Sequence, residues 1–124
     1  MNYFNELLEI NKIITNDDNN VRIENLEEVY QLLDTFNRRP FDLDEFIKLC
    51  ILLFNMQIFY DGNSRTIFTY LIRKLDEYGY NINVNNAKEE LIELRRLFPT
   101  IYDLNEEIND KTILRIKKYV YERK

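Results

Sequence analysis

The chain has 124 residues, 45% hydrophobic and 31% charged, which suits about one domain over residues 1–124 and leaves little room for a second. Gly 2 and Pro 2 are too few turn residues for a sandwich or barrel of many short strands. Lys+Arg 17 against Asp+Glu 22 gives a net charge of -5, which repels phosphate backbones and argues against a nucleic-acid partner.

In chain order, Phe4, Leu7, Leu8, Ile10, Asn11 and Ile14 recur near helical spacing and predict a first helix from Tyr3 to Ile14, capped by Asn2. Residues 15–20 (TNDDNN) are turn formers, and Val21, Arg22 and Ile23 alternate like a short strand, so a loop or small hairpin is expected there. Asn25, with Glu28 three residues on, resembles a capping box and opens a second helix through Leu26, Tyr30, Leu33 and Phe36, stopping near Asn37 before Pro40. From Leu43 to Met56 almost no polar face remains, yet the run ends well short of the ~20 residues that a bilayer span requires. It reads as a buried central helix with Asp42 or Asp44 at its start, and no membrane partner is expected.

Asp61 and Gly62 then turn the chain into a fourth helix, from Ser64 to about Tyr78, which Gly79 closes. After an extended piece, Tyr80 to Val84, Asn86 and Glu89 mark another capping box, and a fifth helix proceeds to Phe98, where Pro99 forbids continuation. A last helix from about Asp110 to Tyr121 carries Ile113, Ile116 and Val120 on one face; its basic end, Lys117, Lys118, Arg123 and Lys124, suits the negative helix pole. The expected fold is all-α, a compact bundle of about six helices with room for a short β-hairpin flap.

His 0 excludes Ser-His and Cys-His nucleophile pairs, histidine metal ligands and the usual near-neutral base. Chemistry must come from carboxylates, lysines, backbone amides or a borrowed metal. The lone Cys50 can form no internal disulfide and sits in an apolar run, as a buried thiol would. Met1 to Glu9 lacks the basic and continuous apolar regions of a signal peptide, so a cytoplasmic protein is the simplest expectation.

Residues 57–66 read Gln-Ile-Phe-Tyr-Asp-Gly-Asn-Ser-Arg-Thr, between the most buried helix and a new helix start. A tight turn at Gly62 exposes backbone N–H groups, Asn63 adds an amide, Ser64 lies in the same turn, and the dipole of the following helix points to the same place. Arg65 can offer a bidentate cation to phosphate. Asp61 is the kind of oxygen donor Mg²⁺ needs when it bridges a carboxylate and nucleotide phosphates. A plainer reading also fits: a turn at 61–63, Ser64 as a helix cap and Arg65 as a solvated charge.

The string IFYDGNSRT, followed by the apolar helix IFTYLIRKL, resembles the active-site motif of the Fic/Doc family, HxFx(D/E)GNxR. Phe59, Asp61, Gly62, Asn63 and Arg65 match, Thr66 is also common there, and the chain length suits the small, Doc-like end of the family. The resemblance implies an ATP- and Mg²⁺-dependent transferase that phosphorylates or AMPylates a hydroxyl of a target protein, as a Doc-type toxin does. Asp61 would hold the metal, Gly62 to Arg65 the nucleotide, and Gln57, Asp61 and Arg65 the catalytic positions.

Three departures qualify this. The family's histidine, its general base, falls at Gln57, an amide that can orient a hydroxyl but not take its proton. Gln57 is either native to a degenerate member or a disabling substitution, and a non-catalytic nucleotide- or protein-binding pseudoenzyme is the alternative it leaves open. The glycine common before the motif's arginine is Ser64, whose Cβ narrows the anion hole. The further arginine of AMP-transferring members is Phe68, closer to the Doc branch, which phosphorylates a translation elongation factor. The family's inhibitory signature, (S/T)xxx(E/D)(G/N), is missing, so restraint would come from a separate partner, an antitoxin or other inhibitory protein. The target-aligning flap would map to Thr15 to Glu24, with Val21 to Ile23 pairing a target backbone as an added strand; an ordinary polar loop fits that stretch as well.

Other motifs are weaker. Asp17 and Asp18 lack the glycine and closing glutamate of a calcium loop. Glu89, Glu90 and Glu93 with Arg95 and Arg96 read as a solvated, salt-bridged face.

Overall fold

Helices form where apolar residues recur at three- and four-residue spacing. The computed structural model describes residues 3–17, 19–22, 24, 26–82, 92, 95–99 and 108–122. Among them lie α1 (Phe4–Thr15), α2 (Leu26–Asn37), α3 (Leu43–Met56), α4 (Asn63–Glu77), β1 (Tyr80–Ile82), α5 (Asp110–Lys117) and β2 (Val120–Glu122). The chain is therefore mostly helical, as its composition implied, with one small two-stranded antiparallel sheet. The described residues divide into two compact units, Met1–Leu71 and Ile72–Lys124, and α4 runs through the division.

In the first unit, α3 is the central element. Its start is fixed by Asp42, whose side chain accepts the Glu45 N–H at 3.0 Å. Phe46, Ile47, Leu49, Cys50, Ile51, Leu53 and Met56 are all buried, so the helix meets protein on most sides, as its unbroken apolar run requires. Each fully buried large side chain contributes about 1.5–3 kcal/mol. α2 packs against both α1 and α3, lending Val29 and Leu33. Aromatic contacts tie the elements together: Phe46 meets Phe36, Phe41 and Tyr70, and Phe54 meets Phe68. Burial pushes the Cys50 thiol well above its ordinary value, which makes it inert as a nucleophile.

In the second unit, α4 ends at Glu77, and Gly79, with φ 87°, lets the chain reverse into β1. β1 pairs with β2 in the register Tyr80↔Glu122, Asn81↔Tyr121 and Ile82↔Val120. The Asn109 side chain caps α5 by accepting the Lys111 N–H at 2.8 Å, and Leu75, Phe98, Ile113 and Ile116 are buried. The last helix is shorter than its pattern predicts. It stops at Lys117, and Val120, expected on its apolar face, joins the strand instead. The β-branched and aromatic run Tyr119, Val120 and Tyr121 favours a pleated partner over another helical turn.

Several expectations fall outside the described residues: the Asn2 cap, Asn25 of the second capping box, Asp18, Ile23, the box at Asn86 and Glu89, the acidic Glu90 and Glu93, and the terminal Arg123 and Lys124. Of the fifth helix, residues 92 and 95–97 are helical, and the Phe98 N–H bonds the Arg95 carbonyl at 3.1 Å just before Pro99. No helix among the described residues is long and apolar enough to cross a membrane.

Candidate anion-binding loop

The connection from α3 to α4 begins at Gln57, a left-handed non-glycine residue with φ 51° and ψ 56°. That conformation costs an L-residue about 1–2 kcal/mol, so the surroundings must hold it in place. Ile58 and Phe59 turn inward and are buried, and the Phe59 ring stacks on Phe4 with centroids 6.3 Å apart and planes 11° apart. Asn63 closes the loop from the other end. Its Oδ1 accepts the Phe59 N–H at 2.8 Å, and its Nδ2 donates to the Phe59 carbonyl at 2.6 Å. The same Nδ2 lies 3.4 Å from Gln57 Oε1, which joins the first and the penultimate parts of the motif. The Thr66 N–H bonds the Gly62 carbonyl at 2.9 Å and starts α4, so Gly62, at φ 76°, is the turn residue and Ser64 lies inside the first helical turn.

Beneath the loop is a buried polar cluster. Asn11, of α1, donates from Nδ2 to the Asp61 carbonyl and to Thr66 Oγ1, both at 3.0 Å. Asn20 Nδ2 donates to the same Asp61 carbonyl at 2.7 Å and to Asn11 Oδ1 at 3.0 Å. Asn11, Asn20 and Thr66 are 2%, 5% and 0% exposed, and among the described residues no buried side-chain polar atom lacks a partner. A satisfied buried network of this kind fixes geometry, because any unmade bond in it is costly. Sequence reasoning missed Asn11 and Asn20 as site-building residues. Asn11 carried a signal, a polar side chain on an otherwise apolar helix stripe; Asn20 lay among turn formers and carried none.

The outer side of the loop is different. Tyr60, Asp61 and Arg65 are exposed, and Ser64 is half-buried. Asp61 Oδ1 accepts the Gly62 N–H at 2.8 Å, and the residue is exposed. The N–H groups of Asn63, Ser64 and Arg65 belong to the first turn of α4 and have no intrahelical acceptor. Arg65 bonds Thr69 Oγ1 through its carbonyl, and its guanidinium has no ion-pair partner among the described residues. All six expected site residues, Gln57, Asp61, Gly62, Asn63, Ser64 and Arg65, thus lie in one helix–loop–helix connection. The Asn63 side chain is engaged inside that loop, which leaves its first-turn main-chain N–H as the group it can offer a ligand. Among the described residues no group of three carboxylate or thiol side chains is placed to hold a metal. Asp61 alone fits Mg²⁺ only in the manner of nucleotide sites, where phosphate oxygens complete the coordination.

The strand-like stretch at Val21 pairs with the loop itself. Tyr60 N–H donates to the Asn20 carbonyl and Arg22 N–H to the Ile58 carbonyl, each at 2.8 Å, around an isolated antiparallel bridge between Val21 and Phe59. The Arg22 guanidinium lies 6.0 Å from the centroid of the Tyr60 ring and 3.7 Å from Glu24. A cleft of about 190 Å³ opens beside this segment, lined by Leu8, Glu9, Asn11, Lys12, Asp17, Asn20 and Val21, and none of the loop residues 57–65 borders it.

No protein-family model matches this chain, and neither a curated protein nor a solved structure matches it.

Proposed function

We propose that the chain is a Fic/Doc-like protein whose loop from Gln57 to Arg65 binds the phosphates of ATP with Mg²⁺, and that Gln57, standing where the family has its base, leaves it severely impaired as a transferase. The observation that carries this reading is the division of labour in the loop. Phe59, Gly62, Asn63 and the buried asparagines fix its backbone, while Asp61 and Arg65 are exposed and the first-turn amides of α4 have no intrahelical acceptor. A plain turn needs no such internal clamp.

On this reading the N–H groups of Asn63, Ser64 and Arg65 hold phosphate oxygens, with the α4 dipole behind them and the Arg65 guanidinium beside them. Mg²⁺, when bound, supplies positive charge against the phosphates, and Asp61 is the residue that would hold it. The Gln57 amide can orient the hydroxyl of a target protein by hydrogen bonding but cannot accept its proton. The second reading, a binding partner for nucleotide or protein without catalysis, draws on two contacts that hold Gln57 back on the loop, its Nε2 3.4 Å from the Phe54 carbonyl and its Oε1 3.4 Å from Asn63 Nδ2. A cytoplasmic setting, a protein target and an external inhibitory protein such as an antitoxin belong to the same proposal.

The test is label transfer in a cell lysate from α- and from γ-labelled ATP, comparing the present sequence with Gln57→His. The substitution is expected to raise protein labelling about 10²- to 10⁴-fold, the range a general base supplies. Equal, background labelling in both forms with both labels would remove the transferase part of the proposal.

A further inference from the structure

Asn11 and Asn20 have a geometry that a structural core does not require. Two asparagines from separate segments, α1 and the stretch before Val21, donate to one carbonyl, that of Asp61, at 3.0 and 2.7 Å. They are also bonded to each other, and Asn11 reaches on to Thr66 Oγ1 in the first turns of α4. The Asp61 peptide is the one whose N–H side is the Gly62 amide held by the Asp61 carboxylate, at 2.8 Å. Fixing its carbonyl inward therefore fixes the direction of the turn at Gly62. Gly62 leaves no slack, because a Cβ there would lie 2.9 Å from Thr15 Cγ2 and 3.3 Å from Asn11 Nδ2. The side chain of Asn11 thus both binds the loop and forms the wall it is pressed against.

We infer that Asn11 and Asn20 are positioning residues that aim the first-turn amides of α4 and the Asp61 carboxylate at a bound phosphate, through their shared grip on the Asp61 carbonyl. This rests on the phosphate-binding reading above. Neither residue touches the phosphate. Each acts on the orientation of the peptide from Asp61 to Gly62, from which the three free N–H groups of Asn63, Ser64 and Arg65 follow. Preorganised amides bind an anion better than the same amides in a loop that must be ordered on binding, since the ordering cost then falls on affinity.

The test uses the full chain with Asn20→Asp, which keeps the shape and removes both N–H donors, alongside Asn20→Ala and Asn11→Ala. Leu33→Ala, a buried change in α2, serves as a stability control. Two measurements are made: amide hydrogen exchange resolved over residues 58–66 against α3, and the Kd for Mg-ATP by calorimetry. The Asn20 variants are expected to exchange about tenfold faster at the bonded loop amides of Phe59, Tyr60, Gly62 and Thr66, with α3 amides following global stability alone, and to bind Mg-ATP about tenfold more weakly, the effect of a lost buried hydrogen bond. Leu33→Ala is expected to lower the melting temperature and leave the Kd within about twofold, because its loss is uniform to free and bound forms. Loop exchange and Kd that change only in step with global stability, as in the control, would overturn the inference. A wild-type chain that binds no Mg-ATP would remove the proposed function; exchange over 59–66 would then decide the positioning role alone, faster exchange confined to the loop supporting it and unchanged exchange overturning it. Should Asn11→Ala fail to fold, the two Asn20 variants carry the same comparison.

Discussion

Among the described residues α1, α3 and α4 are each followed by a residue in the left-handed region, Asn16, Gln57 and Gly79, and the turns after α4 and α3 are built differently. After α4, Gly79 at φ 87° reverses the chain in open space, with nothing within 4 Å of where a Cβ would be. After α3, the left-handed residue is Gln57, at φ 51°, and the glycine comes five positions later at a point hemmed in by Thr15 and Asn11. The first turn uses glycine for backbone freedom alone. The second accepts strain at a non-glycine residue and surrounds its glycine with buried amides. A glycine turn packed against a satisfied buried polar network is the pattern of a loop whose shape matters beyond reversing the chain.

The largest effect should come from the anchor of the strained turn. Phe59→Ala removes a buried ring stacked on Phe4 and is expected to cost about 3–5 kcal/mol in denaturant melts. A cost near that of an exposed truncation would mean that the loop is not hooked into the core.

The two glycines then allow the sharper comparison. Gly79→Ala should carry only the left-handed penalty, about 1–2 kcal/mol. Gly62→Ala should carry that penalty and, in addition, about 1–3 kcal/mol for the overlap with Thr15 and Asn11. The same melts check it, and equal losses at the two sites would erase the distinction between the turns.

These differences explain which parts could be read in advance. The central helix is legible to the residue, Leu43–Met56, because its apolar run is unbroken and Asp42 is a ready cap. The loop is legible as a motif, since Phe59, Asp61, Gly62, Asn63 and Arg65 are adjacent in sequence. What supports it is not, because the bonds from Asn11 and Asn20 to Asp61 cross 50 and 41 residues and nothing local announces them. The role of Asn63 was legible only in part: as an amide near an anion site it looks like a ligand, and only the contacts with Phe59 reveal the clamp. At the C-terminal end, periodicity continued past Lys117, and long-range pairing with Tyr80–Ile82 took Val120 into a strand. Local pattern loses to sheet pairing that it cannot see.

The exposed side of the α3–α4 loop is proposed to bind a triphosphate. The most direct test is a thermal melt of the present sequence and of Arg65→Ala, each with and without Mg-ATP. At about 100 times the Kd, binding adds about 2.7 kcal/mol, a rise of several degrees for a chain of this size. That rise is expected in the present sequence, and its loss in Arg65→Ala with the ligand-free melting temperature unchanged, because Arg65 is exposed. No rise in the present sequence, or the same rise in both, would contradict the proposal.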